Sequence, residues 1–136
     1  QEHPHETYFE LDADEPPLLL GEDKGPNPVE YLLTALAACV TTSIVYHAAA
    51  KGIALKSVES RLEGDIDLQG FLGIRDDVRR GYEEIRMFFK IDADVPEEEL
   101  EKIVALGPSF SPVFDSITKG VPVKVALERG ASRAAA

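Results

Sequence analysis

Cys39 carries the side chain in this sequence best suited to nucleophilic chemistry, because a thiolate attacks a peroxide oxygen directly and ends as a sulfenic acid. It is the single cysteine among 136 residues. Leu36, Val40, Ser43 and Tyr46 surround it at helical spacings, and no Lys, Arg or acid lies within one helical turn. Any activating charge must therefore come from another part of the fold. Without one, Cys39 reads as an inert core cysteine, since free cysteine is among the most often buried residues.

Other candidates are weaker. His47 lies roughly 80° around the helix from Cys39 and ~12 Å along it, too far for a pair within one helix, and reads as a satisfied histidine near the helix end. His3 and His5 sit at the extreme N-terminus, where loose chelation is the most they offer. The acid run Glu97 to Glu101 suits a solvated helix start better than a catalytic pair. There is no glycine-rich phosphate loop, no G-x-S-x-G elbow and no metal-spaced cluster. The expectation is no metal and no cofactor.

The element that must position Cys39 is a long helix over Asn27 to Gly52. Asn27 suits the cap, Pro28 the first helical position, and Glu30 the return arm of a capping box. Lys51 and Gly52 supply a terminal cation and a left-handed stop. From Tyr31 to Ala50 no residue carries a fixed charge. Such a helix is roughly 36 Å long, more than a domain of this size wraps alone, and it calls for a partner chain. The same run has the length of a membrane span. Its alanines, threonines, Ser43 and His47 make it less apolar than a typical span, and no basic flank orients it. A buried interface helix is the better reading.

Around this helix the periodicity alternates between two and 3.6. Thr7 to Asp12 suggests a short strand. Val58, Ser60, Leu62, Gly64, Ile66 and Leu68 share one face of a second, half-solvated strand, with Glu59, Arg61, Glu63, Asp65 and Asp67 on the other. After a loop over Gly70 to Gly81, Ile85, Met87, Phe89 and Ile91 mark its antiparallel partner. Pro96 opens a helix that Gly107-Pro108 should stop, Ser111-Pro112 starts a short helix ending at Lys119-Gly120, and Val121 to Leu127 forms a last strand. Residues 129–136 read as a tail. The fold class is α+β, a mixed or antiparallel sheet on a long central helix, in a single domain over 1–136.

Composition narrows function by exclusion. A net charge of −11, from 25 acidic and 14 basic residues, repels phosphate backbones and anionic lipid, so neither nucleic acid nor membrane is expected as a partner. One cysteine excludes an intrachain disulfide and fits a reducing cytoplasm. The start at Gln1-Glu2-His3 has neither an initiating Met nor a signal-peptide pattern, which leaves room for an upstream segment.

The string Gly25-Pro-Asn-Pro-Val-Glu-Tyr-Leu-Leu-Thr-Ala-Leu-Ala-Ala-Cys39, followed by Ser111-Pro-Val-Phe-Asp-Ser-Ile-Thr-Lys-Gly-Val-Pro-Val-Lys-Val125, resembles the OsmC/Ohr family of osmotically inducible and organic hydroperoxide resistance proteins. The likeness covers nearly residues 7 to 127. It implies an intertwined α+β homodimer with the cysteine-bearing helices at the interface, and it puts Cys39 at the family's peroxidatic position. It puts Ser111 where the family has its resolving cysteine, and Val29 where the family has its catalytic glutamate. Neither is competent for that role. Glu30, one place later, is a weak candidate better explained as the capping-box acid. The family's activating arginine comes from an early segment, yet residues 1 to 27 contain none.

The leading expectation is an OsmC-like homodimer with at most one-cysteine chemistry, in which Cys39 reduces organic hydroperoxides in peroxide-stress defence and an external thiol reduces it in turn. The alternative is a non-catalytic protein that binds a small hydrophobic ligand at the dimer interface.

Overall fold

The computed structural model describes residues 4–130. Helix α1 spans Pro28–Ala50 and begins as the capping residues demand. The Asn27 side chain accepts from the Glu30 amide, the Glu30 carboxylate accepts from the Asn27 amide, and both bonds are 2.8 Å. At the other end the Gly52 amide donates to Ala49 and the Ile53 amide to Ala48, with Gly52 at φ +69°. The left-handed turn needs that glycine.

Strands β1 (Leu55–Asp65) and β2 (Glu84–Ala93) form an antiparallel hairpin. Val58 lies opposite Ile91, Ser60 opposite Phe89, Leu62 opposite Met87 and Gly64 opposite Ile85, so the apolar positions of both strands share one face. Between the strands, the four-residue helix α2 (Leu68–Phe71) is capped by Asp67, whose side chain accepts from the Gln69 amide at 2.9 Å. That local bond draws Leu68 out of the strand, which ends three residues short of the expected point.

Helix α3 (Glu97–Ser109) runs through Gly107-Pro108 instead of stopping there. Proline in the last turn costs one hydrogen bond to a carbonyl, and the helix ends two residues later at Phe110. Gly107 is required by packing rather than by a turn: a Cβ there would lie 2.6 Å from Cγ1 of Ile44 and 3.3 Å from Cγ1 of Val40. Its absence lets α3 settle directly on α1. Helix α4 (Pro112–Lys119) starts at Ser111 as expected and ends at Gly120, φ +72°.

The buried core is small: Leu36, Val40, Ile44 and Ala48 from α1, with Ile103 from α3. Helix α1 packs against α3, β1 and α4, yet only 28% of its most apolar 18-residue window is buried. By length and composition this helix would also cross a membrane. Within the fold it has one covered side.

The class is α+β, but the sheet among the described residues has two strands, not the larger sheet expected. The segments expected as first and last strands, Thr7 to Asp12 and Val121 to Leu127, have no regular secondary structure and join no sheet. Tyr8, Leu11, Val123, Val125 and Leu127 are all more than three-quarters exposed. Alternation marks a segment fit to lie on a sheet, but a strand also needs a neighbour for its amides and carbonyls. Among the described residues no strand pairs with either segment, and the Tyr31 hydroxyl donates to the carbonyl of Asp12 at the end of the first. Of the expected tail, residues 131–136 lie outside the described region.

The Ile44–Gly107 contact predicts non-additive stabilities. Ile44→Ala should cost about 2–5 kcal/mol by opening a cavity. Gly107→Ala should destabilise the native background by about 1 kcal/mol or more, because overpacking outweighs the gain in helix propensity. In the Ile44→Ala background the same change should be neutral or stabilising, which denaturant unfolding of the four proteins measures.

Candidate functional site

Around α1 two stripes divide the surface. Leu36, Val40, Ser43, Ile44 and Ala48 form the buried one. Ala35, Ala38, Thr42, Val45, Tyr46 and Ala49 form an exposed one, centred roughly opposite at about 100° per residue. Cys39 is half-buried and lies on the seam between them. Its sulfur thus stands where the covered side of the helix meets the uncovered side. No other thiol exists in the chain to partner it.

The other sequence candidates are not gathered around Cys39. Glu30 is at the helix start, about 13 Å away along the axis, with its carboxylate engaged by the Asn27 amide. Val29 contributes its carbonyl, which accepts from the Tyr82 hydroxyl at 2.8 Å. That contact anchors the start of α1 to the loop two residues before β2. Burial, and secondarily the Glu30 carboxylate, push the Tyr82 phenol above its usual 10.0. Ser111 is 1% exposed, and its Oγ accepts from the Phe114 amide at 3.1 Å. That hydroxyl is the cap of α4.

His47 is satisfied locally: its Nδ1–H donates to the Ser43 carbonyl at 2.8 Å, and its ring lies 4.5 Å from that of Phe110. His5 packs edge-on against Phe9, while His3 lies outside the described residues. No cluster of three potential metal ligands occurs among the described residues.

Two features escaped the sequence reading. A groove of about 740 Å³ opens between α1, β2 and α4, lined by Leu32, Leu36, Met87, Phe114 and Ile117, with Arg79 and Tyr82 among its polar residues. Cys39 is not part of its lining. Arg79 reaches the groove from the loop before β2, not from the early N-terminal segment where the resemblance places the family's arginine. The second is Ser43, which is buried at 7% exposure with its hydroxyl unpaired. Its spacing of four from Cys39 was the available signal.

An OsmC-like family model matches residues 21–126, and the chain belongs to that family. Solved structures agree in fold. An OsmC-like protein from Mycoplasma pneumoniae superposes with a TM-score of 0.62 at 23% identity, covering 70% of this chain and 64% of that one. An osmotic stress induced and detoxification response protein from Psychrobacter arcticus gives 0.63 at 20% identity, covering 79% and 72%. An organic hydroperoxide resistance protein OsmC from Legionella pneumophila, also described as a predicted redox protein, gives 0.60 at 23% identity, covering 85% and 79%. The chain spans less than two thirds of the Mycoplasma protein's length. No curated protein matches the sequence.

If Glu30 serves as a cap, Glu30→Gln should leave thermal stability nearly unchanged, because Gln completes a capping box as Glu does. Glu30→Ala should cost about 1 kcal/mol, read from the unfolding midpoint in urea.

Proposed function

We propose that this OsmC-like protein is a one-cysteine thiol redox protein that reduces organic hydroperoxides as a homodimer. The observation that carries the proposal is the half-buried Cys39 on the seam of α1, at the position that the family motif assigns to a peroxidatic thiol. The Cys39 thiolate attacks one oxygen of the hydroperoxide, an S–O bond forms as the O–O bond breaks, and the alkoxide leaves as an alcohol after taking a proton. The sulfur is oxidised to the sulfenic acid. One external thiol then displaces water to give a mixed disulfide, and a second releases Cys39 with formation of the external disulfide. An external thiol is required because Ser111 has no sulfur to offer.

Support for the homodimer comes from the uncovered stripe of α1. A helix apolar on all sides is stable when buried on all sides, and Ala35, Ala38, Thr42 and Ala49 are small enough for a second helix to approach closely. The same partner would bring neighbours to the exposed, strand-patterned segments at 7–12 and 121–127. The apolar groove favours a second reading, in which the protein holds a small hydrophobic ligand without turnover. Binding of such a ligand unchanged by Cys39→Ser would support that reading.

The native protein should consume cumene hydroperoxide with dithiothreitol and give a dimedone adduct on Cys39 under peroxide. Cys39→Ser should do neither. Native protein that shows neither turnover nor adduct ends the redox proposal. In sedimentation equilibrium the protein should have twice the chain mass. Ala38→Glu, which sets a charge in the stripe, should lower that mass to one chain at micromolar concentration.

A further inference from the structure

Among the described residues, Ser43 Oγ is the one buried side-chain oxygen or nitrogen without a hydrogen-bond partner. Four hydroxyls elsewhere on the helices donate to the carbonyl four residues back. Thr34 does so to Glu30 and Thr42 to Ala38 at 2.9 Å each, and Ser116 to Pro112 and Thr118 to Phe114 at 2.8 Å each. For Ser43 that carbonyl would be the one on Cys39, and the bond is not made. A buried donor left open loses its water and gains nothing in return. The position is therefore costly to stability.

We infer that Ser43 is a positioning residue for Cys39, with a hydroxyl that donates to the sulfur once it carries negative charge; this rests on Cys39 being the working thiol. Residues four apart on a helix are neighbours, with Cβ atoms about 5–6 Å apart. Every Cα–Cβ bond tilts toward the helix start, so Ser43 leans over the turn that holds Cys39. The Nδ1–H of His47 is already bonded to the Ser43 carbonyl and does not compete.

The surroundings make such a donor matter. Leu36 and Val40 flank Cys39 on α1 and belong to a core cluster that takes in Ile103 from α3, with Leu55 and Leu62 from β1 and Phe114 and Ile117 from α4 packed against it. None of these titrates or carries charge. On α1 itself the titratable neighbours are Tyr46 and His47. A thiolate on the seam thus has water on one side only, and a hydrogen bond to an ion in such a place is worth more than one in solvent.

The test is alkylation of Cys39 by iodoacetamide, which follows the sulfur whether or not hydroperoxide is ever reduced. A failure here is thereby separable from a failure of the redox proposal. At pH 7.5, Ser43→Ala should react about three- to ten-fold more slowly, since losing a charge-assisted bond lowers the thiolate fraction while partly raising its nucleophilicity. At alkaline pH, where the thiolate is complete in both proteins, the variant should react as fast as the native protein or faster. Its unfolding temperature should be unchanged or higher, because an unpaired buried hydroxyl has been removed. Equal rates at pH 7.5 would overturn the inference, as would a variant slower by the same factor at every pH, which marks a change of access rather than of charge stabilisation.

Discussion

The whole structure depends on one unresolved demand: α1 is apolar around its full circumference, and its own chain covers one side. The capping box fixes where the helix starts, the Gly52 turn fixes where it stops, and no fixed charge in between gives any face a reason to meet water. The hairpin, α3 and α4 answer half of this demand. What they leave uncovered, the stripe from Ala35 to Ala49, sets the terms for everything else, including where the one thiol can meet a reactant.

Close packing on the covered side follows from a missing side chain. Gly107 lets the backbone of α3 reach Ile44 and Val40, so the core is compact although few residues are in it. Dense packing fixes the rotation of α1 about its own axis. That rotation puts Cys39 on the seam and Ser43 just inside it. A shift of one residue in either direction would bury the sulfur or expose it fully. The geometry of the candidate site is thus set by core residues that take no part in its chemistry.

Much of this was legible in the sequence because the signals were local. Asn27, Pro28 and Glu30 announced α1, alternation announced both hairpin strands, and Ser111-Pro112 announced α4. The misreadings share a physical cause. The alternating residues at 7–12 and 121–127 carry the pattern of strands, but strand formation depends on a neighbour that local pattern does not specify. Gly107-Pro108 looked like a stop because glycine and proline usually punctuate, whereas here glycine answers a distant contact with Ile44. Arg79 gains its place only once α1, β2 and α4 meet around the groove, and Ser43, four residues from Cys39 in the sequence, shows its open hydroxyl only once the core has closed over it.

Among the described residues the hairpin pairs with no third strand, and the segments at 7–12 and 121–127 carry exposed Tyr, Leu and Val. Acidic character bears on the same surface: with a formal charge of −11, copies of this chain repel one another over a range set by ionic strength, about 30 Å in dilute buffer and about 8 Å at physiological salt. Encounter is therefore gated by screening, and adhesion by short-range contact. A freshly made molecule in a salty cell meets its neighbours at close quarters with unsatisfied edges. Which contact forms first at such range is then decided by the open strand edges and the exposed apolar side chains, not by net charge.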